Sequence, residues 1–456
     1  MFTQKKKMKG KVVMVLARKT RYVLQERRRP ERSRWQPVVS GMAQLCLALL
    51  LIVSTGANGF AGEKALPDTT GYDVPDEIRA LKYGAFVHYV WGGTGTRNPG
   101  PLQVNSDGTK PYKTIDEMVN AFPVEKFAED VASMGVEYLI FTCWHYDMNP
   151  LYPSAVMDKW MKGLPDKTPD RDLIRDLINA LKPKGVKLFL YLHPDDRGDF
   201  TGAEKGRVEG KKFTQFINEM YAECVSRYKG DVAGYWNDGG CKGPDLRKTM
   251  HDADPKAVSL AGSKFLQDIS QHRISLITSN WWASDTSAGH GGKARAEDMF
   301  KAVVLQAGAN VQGTGIAIAF GVYGDGGWQK NVLESMRALG KHIEPVSASI
   351  KNVHAGKSYP TAFGTKHSKL DWGVSTESTD GKHVYIHVLK PESPSISVKA
   401  LALPAPQDGK KFGSAVLLRN GNPVKLDQAD DGKVTLTLGA DDDWHKLDTV
   451  IRMTTK

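Results

Sequence analysis

Between about residues 76 and 343, short apolar runs alternate with stretches whose apolar residues recur every three or four positions. The first pattern fits a buried strand and the second an amphipathic helix. Residues 83–88 (YGAFVH) read as a first strand. Residues 126–134 read as a helix with Phe127, Val131 and Met134 on one face; Gly135 stops it, and 136–142 (VEYLIFT) is the next strand. Residues 170–182 form a helical stretch with Leu173, Ile174, Leu177, Ile178 and Leu181 on one side, followed by a third strand at 186–192 (VKLFLYL). A long helix at 213–228 turns Phe213, Phe216, Ile217, Met220 and Cys224 inward, and 232–236 is a fourth strand. Residues 256–260, 274–278, 302–306 and 315–320 complete eight strands, and 328–343 is a last helix. Alternation of this kind predicts a parallel α/β fold, here a (β/α)8-type barrel over 62–345.

The pattern changes after Pro345. Short β-like runs at 383–389, 398–403, 413–418, 433–438 and 449–453 are separated by Asp380-Gly381, Asn420-Gly421 and Asp431-Gly432. These predict an antiparallel β-sandwich domain over 346–456.

Net charge changes the picture only at the N-terminus. The chain has 456 residues and a net charge of +11, yet residues 1–40 hold thirteen Lys/Arg against Glu26 and Glu31, which is the whole excess. The other 416 residues carry 49 basic and 49 acidic groups, so no clustered cations are left over for a phosphate backbone, and nucleic acid is not an expected partner. The basic start runs into residues 43–53, apolar except for Gln44, and then into Ser54, Thr55, Gly56, Ala57, Gly59 and Ala61. Positive region, apolar run and small-residue exit make a secretory signal segment over 1–61, with cleavage near Ala57 or Ala61. Eleven residues are short of the roughly 20 that span a bilayer, so no stable membrane span is expected once the segment is removed. The expected location is therefore secreted or periplasmic. Cys46 leaves with the signal; Cys143, Cys224 and Cys241 permit at most one internal bridge, and none has zinc spacing.

Candidate chemistry gathers just past the strands. His88 ends the first; His145, Tyr146 and Asp147 follow the second; Tyr191, His193, Asp195 and Asp196 lie at the end of the third. The fourth runs through Gly-Tyr-Trp-Asn-Asp-Gly-Gly (234–240), which delivers Asp238 beside Trp236 and then turns away. Asn280, Trp281 and Trp282 follow the sixth. The C-terminal ends of barrel strands are where such folds hold reacting groups. Aromatic faces beside His and Asp suit a sugar: rings cover its C–H patches, while imidazoles and carboxylates bond its hydroxyls. Taken singly, each has a structural reading: Asp238 as a turn cap, a strand-end His as a satisfied core group, Trp281-Trp282 as filling.

The barrel resembles glycoside hydrolase family 29, the α-L-fucosidases. The segments that carry the resemblance are LKYGAFVHY (81–89), EYLIFTCWHYDMNPLYPSAVMDKW (137–160), DRDLIRDLINALKPKGVKLFLYLH (170–193), GYWNDGG (234–240) and LGKHIEPVSASI (339–350). WGVSTESTDGKHVYIHVL (372–389) and DTVI (448–451) resemble the family's C-terminal domain. The resemblance implies a retaining glycosidase without a cofactor, acting on a fucosyl or related residue of an oligo- or polysaccharide. It puts the nucleophile on Asp238 and sugar contacts on His88 and His145; Tyr146, in place of the second histidine, and the strand-end aromatics Tyr191 and Trp236 are the further expected sugar contacts. The acid/base sits on variable loops in this family; Asp268 is chosen for its place along the chain, with Asp285 next. Departures are visible. Trp144-His145-Tyr146 stands where the family has two adjacent histidines, and His88-Tyr89 stands where it has His-Trp. A Glu-Trp recognition loop before Phe127 and the Arg after the fifth strand are not matched. These losses motivate an alternative, a barrel that binds a glycan without cleaving it. A second alternative is a metal-dependent hydrolase using His145, Asp147, His193, Asp195 and Asp238.

Overall fold

The computed structural model describes residues 74–91, 105–109, 111–145, 148–193, 200, 202–237, 246–259, 295–309, 315–329, 331–361 and 370–456. The expected signal segment over 1–61 and the expected strand at 274–278 lie outside them, as does Cys241.

Five parallel strands form the first sheet: β1 (Tyr83–His88), β2 (Tyr138–Thr142), β3 (Lys187–Leu192), β4 (Gly234–Asn237) and β5 (Ile316–Gly321). Their order is β4-β3-β2-β1-β5. The last of these in sequence therefore pairs with the first, the connection that closes a barrel. At the other edge Tyr235 bridges Ser259 in parallel, all that the described residues contain of the strand expected at 256–260. Every residue of β1, β2, β4 and β5 is buried, as both-sided burial of a parallel sheet requires.

Between these strands run the expected helices. Val124–Ser133, Leu173–Leu181, Lys211–Arg227 and Val332–Ile343 each lie within a few residues of the periodic stretches. Their apolar faces cover the outer side of the sheet, where Phe127, Val131, Ile174, Leu177, Phe216 and Met220 pack on Val87, Leu139, Phe141 and Leu190. Thiols from β2's end and the Lys211–Arg227 helix meet there: Cys143 and Cys224 are free, buried and 3.8 Å apart. Inside lies a second cluster of Phe86, Ile140, Phe189, Tyr191, Trp236 and Ala319. Gly84 belongs to this close packing, since a Cβ there would sit 2.3 Å from the Tyr138 ring.

One expected strand is corrected. Residues 302–306 lie inside the helix Ala296–Ala309. Met299, Phe300, Val303, Val304 and Ala307 are its buried side, a spacing of one, three and four that only a helix satisfies. A five-residue run such as AVVLQ is too short to separate the two periods by itself.

The C-terminal part is one eight-stranded antiparallel sheet. Its strands are β6 (Val353–Ala355), β7 (Gly373–Ser378), β8 (His383–Val388), β9 (Ala400–Leu403), β10 (Phe412–Leu417), β11 (Pro423–Gln428), β12 (Val434–Thr437) and β13 (Thr449–Thr455). They run in the order β6-β7-β8-β13-β10-β11-β12-β9 and enclose a core of Trp372, Ile386, Leu401, Phe412, Leu436 and Ile451. Short β6, with β7 and β11, lies outside the expected period-two runs. The helix Ala296–Ala309 rests on β7 so closely that a Cβ on Gly308 would lie 2.6 Å from Val374.

A buried polar knot joins this sheet to the turn that leaves the barrel. His387 Nδ1 lies 2.7 Å from Asp448 Oδ2, and both side chains are fully buried. His387 Nε2 faces the Ser349 carbonyl at 3.2 Å, and Thr376 Oγ1 donates to the same oxygen at 2.6 Å. Removing one partner of a buried hydrogen-bonded pair strands the other without solvent. Asp448→Ala is therefore expected to lower stability by about 3 kcal/mol, read from the urea midpoint of unfolding. A loss below about 0.5 kcal/mol would show that the knot contributes nothing beyond packing.

Candidate active site

Parallel register aligns the inner faces of the strands into rows. Ala319, Phe86, Ile140, Phe189 and Gly234 are successive partners across β5, β1, β2, β3 and β4. Two residues further along, His88 partners Gly321, Thr142 partners Tyr191, and Tyr191 partners Trp236. The first row is an apolar floor. The second puts polar and aromatic side chains at the C-terminal rim, because strand side chains repeat every second residue.

The rings of this rim touch. Tyr191 stacks on Trp236 at 5.3 Å between centroids and 16° between planes. His145, just past β2, is parallel to Tyr191 at 5.4 Å and 4°. His88 stands edge-on to both, 4.8 Å from Tyr191 and 5.3 Å from His145. Phe86 lies below, 5.0 Å from His88 and 5.2 Å from Trp236. Four site residues expected from the sequence, His88, His145, Tyr191 and Trp236, are thus brought together. Tyr146, Asp238, Asp268 and Asp285 lie outside the described residues, as do Asn280, Trp281 and Trp282.

His193 joins the same cluster. Its ring is 4.5 Å from His145 at 13°, and its Nδ1 is 3.4 Å from the Tyr191 hydroxyl. His193 stands among the strand-end candidates of the sequence with a stated role only in the metal alternative, although its place two residues after Tyr191 marks it for the same face. Trp144 Nε1 donates to the His193 carbonyl at 3.0 Å, and the Cys143 amide donates to the Tyr191 carbonyl at 2.9 Å. Both bonds tie the turn after β2 to the end of β3.

Stacked imidazoles keep their in-plane lone pairs in parallel sheets instead of aiming them at one point. Among the described residues no group of three His, Cys, Asp or Glu side chains is placed to hold a metal ion. Asp147, Asp195 and Asp238, the carboxylates of the metal alternative, lie outside those residues.

Burial holds the His145 pKa well below that of a free imidazole, and the neighbouring His88 and His193 push it the same way. A neutral imidazole offers one donor and one acceptor, the pairing that a sugar hydroxyl can use in both directions.

Other residues of the resembling segments build walls. Ser154 caps the helix Ala155–Trp160 by accepting from the Met157 amide at 3.0 Å. Glu223 accepts from the Ala155 amide at 2.8 Å, and Glu219 accepts from Trp160 Nε1 at 2.7 Å. The PSAVMDKW stretch is therefore clamped to the helix Lys211–Arg227.

The five-stranded parallel sheet, its imidazole and aromatic rim, and the antiparallel sheet that follows define an α/β-barrel fold with a C-terminal β-domain. Comparison with known proteins narrows this. The α-L-fucosidase family profile matches residues 108–308. Tissue α-L-fucosidase of Macaca fascicularis is 24% identical over 301 residues, which cover 59% of this chain and 60% of that protein. α-L-Fucosidase 1 of Arabidopsis thaliana is 28% identical over 186 residues, covering 38% of this chain and 32% of that one. The matches to the first three curated relatives span between 52% and 60% of their lengths. Among solved structures, a family 29 α-L-fucosidase from Bacteroides thetaiotaomicron, trapped as a covalent intermediate with 2-fluoro-fucosyl fluoride, superposes with a TM-score of 0.58. It is 17% identical, and the match covers 84% of this chain and 95% of that one. The Thermotoga maritima α-fucosidase gives 0.56 at 14% identity, with 84% and 98% covered. These matches make the chain similar to the α-L-fucosidases of glycoside hydrolase family 29 over part of its length in sequence and over most of it in fold.

The depressed His145 pKa has a consequence for folding. Below pH 6.5 the unfolded chain protonates this imidazole while the folded one resists, so the unfolded state binds more protons. Stability should be full above pH 6.5 and fall as pH drops toward the folded-state value, by at most about 1.4 kcal/mol per pH unit for one group. Urea midpoints at several pH values test this. His145→Phe should flatten part of that slope; an unchanged slope would contradict the assignment.

Proposed function

We propose that this protein is an exported, retaining α-L-fucosidase that cleaves terminal fucosyl or closely related residues from glycans. The observation that carries the reading is the convergence of His88, His145, Tyr191 and Trp236 from four neighbouring parallel strands on one rim. Asp238 follows Trp236 by two residues, the repeat that keeps strand side chains on one face. The names of the curated relatives and the covalent intermediate in the Bacteroides neighbour support the same chemistry.

In this mechanism the apolar faces of Tyr191 and Trp236 take the C–H patches of the sugar, and the imidazole edges of His88 and His145 take its hydroxyls. Tyr146 contributes a further hydroxyl contact. Asp238 attacks the anomeric carbon and the bond to the leaving oxygen breaks, giving a covalent glycosyl-enzyme. A second carboxyl, assigned to Asp268, gives the leaving oxygen its proton. It then takes a proton from the water that displaces Asp238. In retaining enzymes these two carboxyls stand about 5–5.5 Å apart. The reaction needs no cofactor. The basic n-region, apolar run and small-residue exit of residues 1–61 support export, and no helix among the described residues is long and apolar enough to cross a membrane.

The replacement of the second histidine by Tyr146 favours one rival, a non-catalytic glycan binder. Kinetics separate the two. The unmutated protein should hydrolyse an aryl α-L-fucoside with retention, releasing α-L-fucose first by NMR. Asp238→Ala should cut kcat at least about a thousandfold while the protein stays folded. Fucose binding with no turnover in the unmutated protein would establish the binder instead. Turnover in Asp238→Ala near the original rate would remove that aspartate from the role.

A further inference from the structure

We propose that His193 is a further substrate-binding and specificity-determining residue, which presents a third imidazole edge to the hydroxyls of the bound sugar; this rests on the glycosidase reading above. Three observations carry it. First, β3 places His193 two residues after Tyr191, on the face and at the end of the sheet where His88 and Trp236 lie. Second, its ring is parallel to both neighbours it touches, 13° and 4.5 Å from His145, 16° and 6.4 Å from Tyr191. Third, its orientation is held from two sides. Nδ1 faces the Tyr191 hydroxyl at 3.4 Å, and the backbone carbonyl accepts from buried Trp144 Nε1 at 3.0 Å.

Below pH 6.5 this arrangement costs stability. Three imidazoles buried against one another, His88, His145 and His193, oppose protonation of His145. An aliphatic or phenyl side chain would fill the same volume without that penalty. Buried polar rings kept at a barrel rim are what a polyhydroxylated ligand needs and what a core does not. With Nδ1 engaged by the Tyr191 hydroxyl, Nε2 is a donor in one tautomer and an acceptor in the other, and a sugar hydroxyl pairs with either. The ligand class is a pyranoside whose ring hydroxyls reach the β2–β3 side of the rim.

The test uses the full protein with His193→Phe, which keeps a stacked ring and removes the polar edge, and His193→Gln, which keeps a donor. Each is assayed for kcat and KM on an aryl α-L-fucoside and on its singly deoxygenated analogues. L-fucose affinity is measured separately by calorimetry. We expect His193→Phe to lose about tenfold or more in kcat/KM and in fucose affinity, with His193→Gln recovering most of it. One deoxy analogue should be penalised in the unmutated protein and not further penalised in His193→Phe. Should His193→Phe fail to fold, His193→Ala, which also removes the polar edge, is read on the deoxy series by the same pattern. Hydrolysis by the unmutated protein, with variants equal to it within about twofold on every substrate, would overturn the His193 role alone. Fucose binding without hydrolysis would overturn the enzymatic reading and leave the affinity of His193→Phe to decide on His193. Neither binding nor hydrolysis by the unmutated protein would overturn both.

Discussion

Register between parallel strands is the constraint on which the site depends. Phe86, Ile140 and Phe189 align into a floor, and two residues later the same alignment gathers His88, Tyr191 and Trp236. A slip of one residue in any strand would exchange its floor and rim residues for those of the outer face. The outer face opposes such a slip, because Val87, Leu139, Phe141 and Leu190 are already packed against helices. Hydrophobic burial on the outside therefore sets which polar groups meet on the inside.

Much of this was legible in the sequence. Strands β1 to β4 are apolar runs bounded by polar or glycine residues, and the helices between them show unbroken three-and-four spacing. The segment 302–306 misled because its exposed position is the apolar Leu305 while the polar Gln306 is buried, so no polar side marked the period. In the C-terminal sheet, β7 is hidden by its serines and threonines: Ser375 and Thr376 are buried but bond to the Tyr359 and Ser349 carbonyls. Polar residues satisfied inside a sheet carry no hydrophobic signal. The rim residues could be read one by one as strand ends. Their ring contacts could not, because distances between His145, Tyr191 and His193 follow from the stagger of two strands and the turn after β2. That is why His193 was legible as a polar residue near the rim and not as a partner of His145.

Polar groups buried far from the rim serve a different purpose. Glu137 accepts from the amides of Lys82 and Tyr83 at 2.9 Å and of Asn352 at 2.7 Å, tying the start of β1 to the segment that enters the C-terminal sheet. Burial lowers the pKa of neighbouring Lys82 to about 7. The His387–Asp448 knot does the same at the Ser349 turn. Each gathers residues that are distant in sequence, and Ser349, Thr376, His387 and Asp448 come from three of the segments that resemble the family. Family likeness in the C-terminal sheet is thus spent on attachment, while that of the barrel strands converges on the rim. At the rim itself, an imidazole at His193 stands beside His145 from the end of β3.

On this reading a sugar held over the rim is attacked by the carboxylate that follows Trp236. Trapping tests it most directly. The protein is incubated with 2-fluoro-fucosyl fluoride, digested and mapped by mass spectrometry. One fluorofucosyl group is expected on the peptide that contains Asp238, with inactivation in step with labelling. Labelling of a different carboxylate, or steady turnover of fucosides with no labelled peptide, would contradict it.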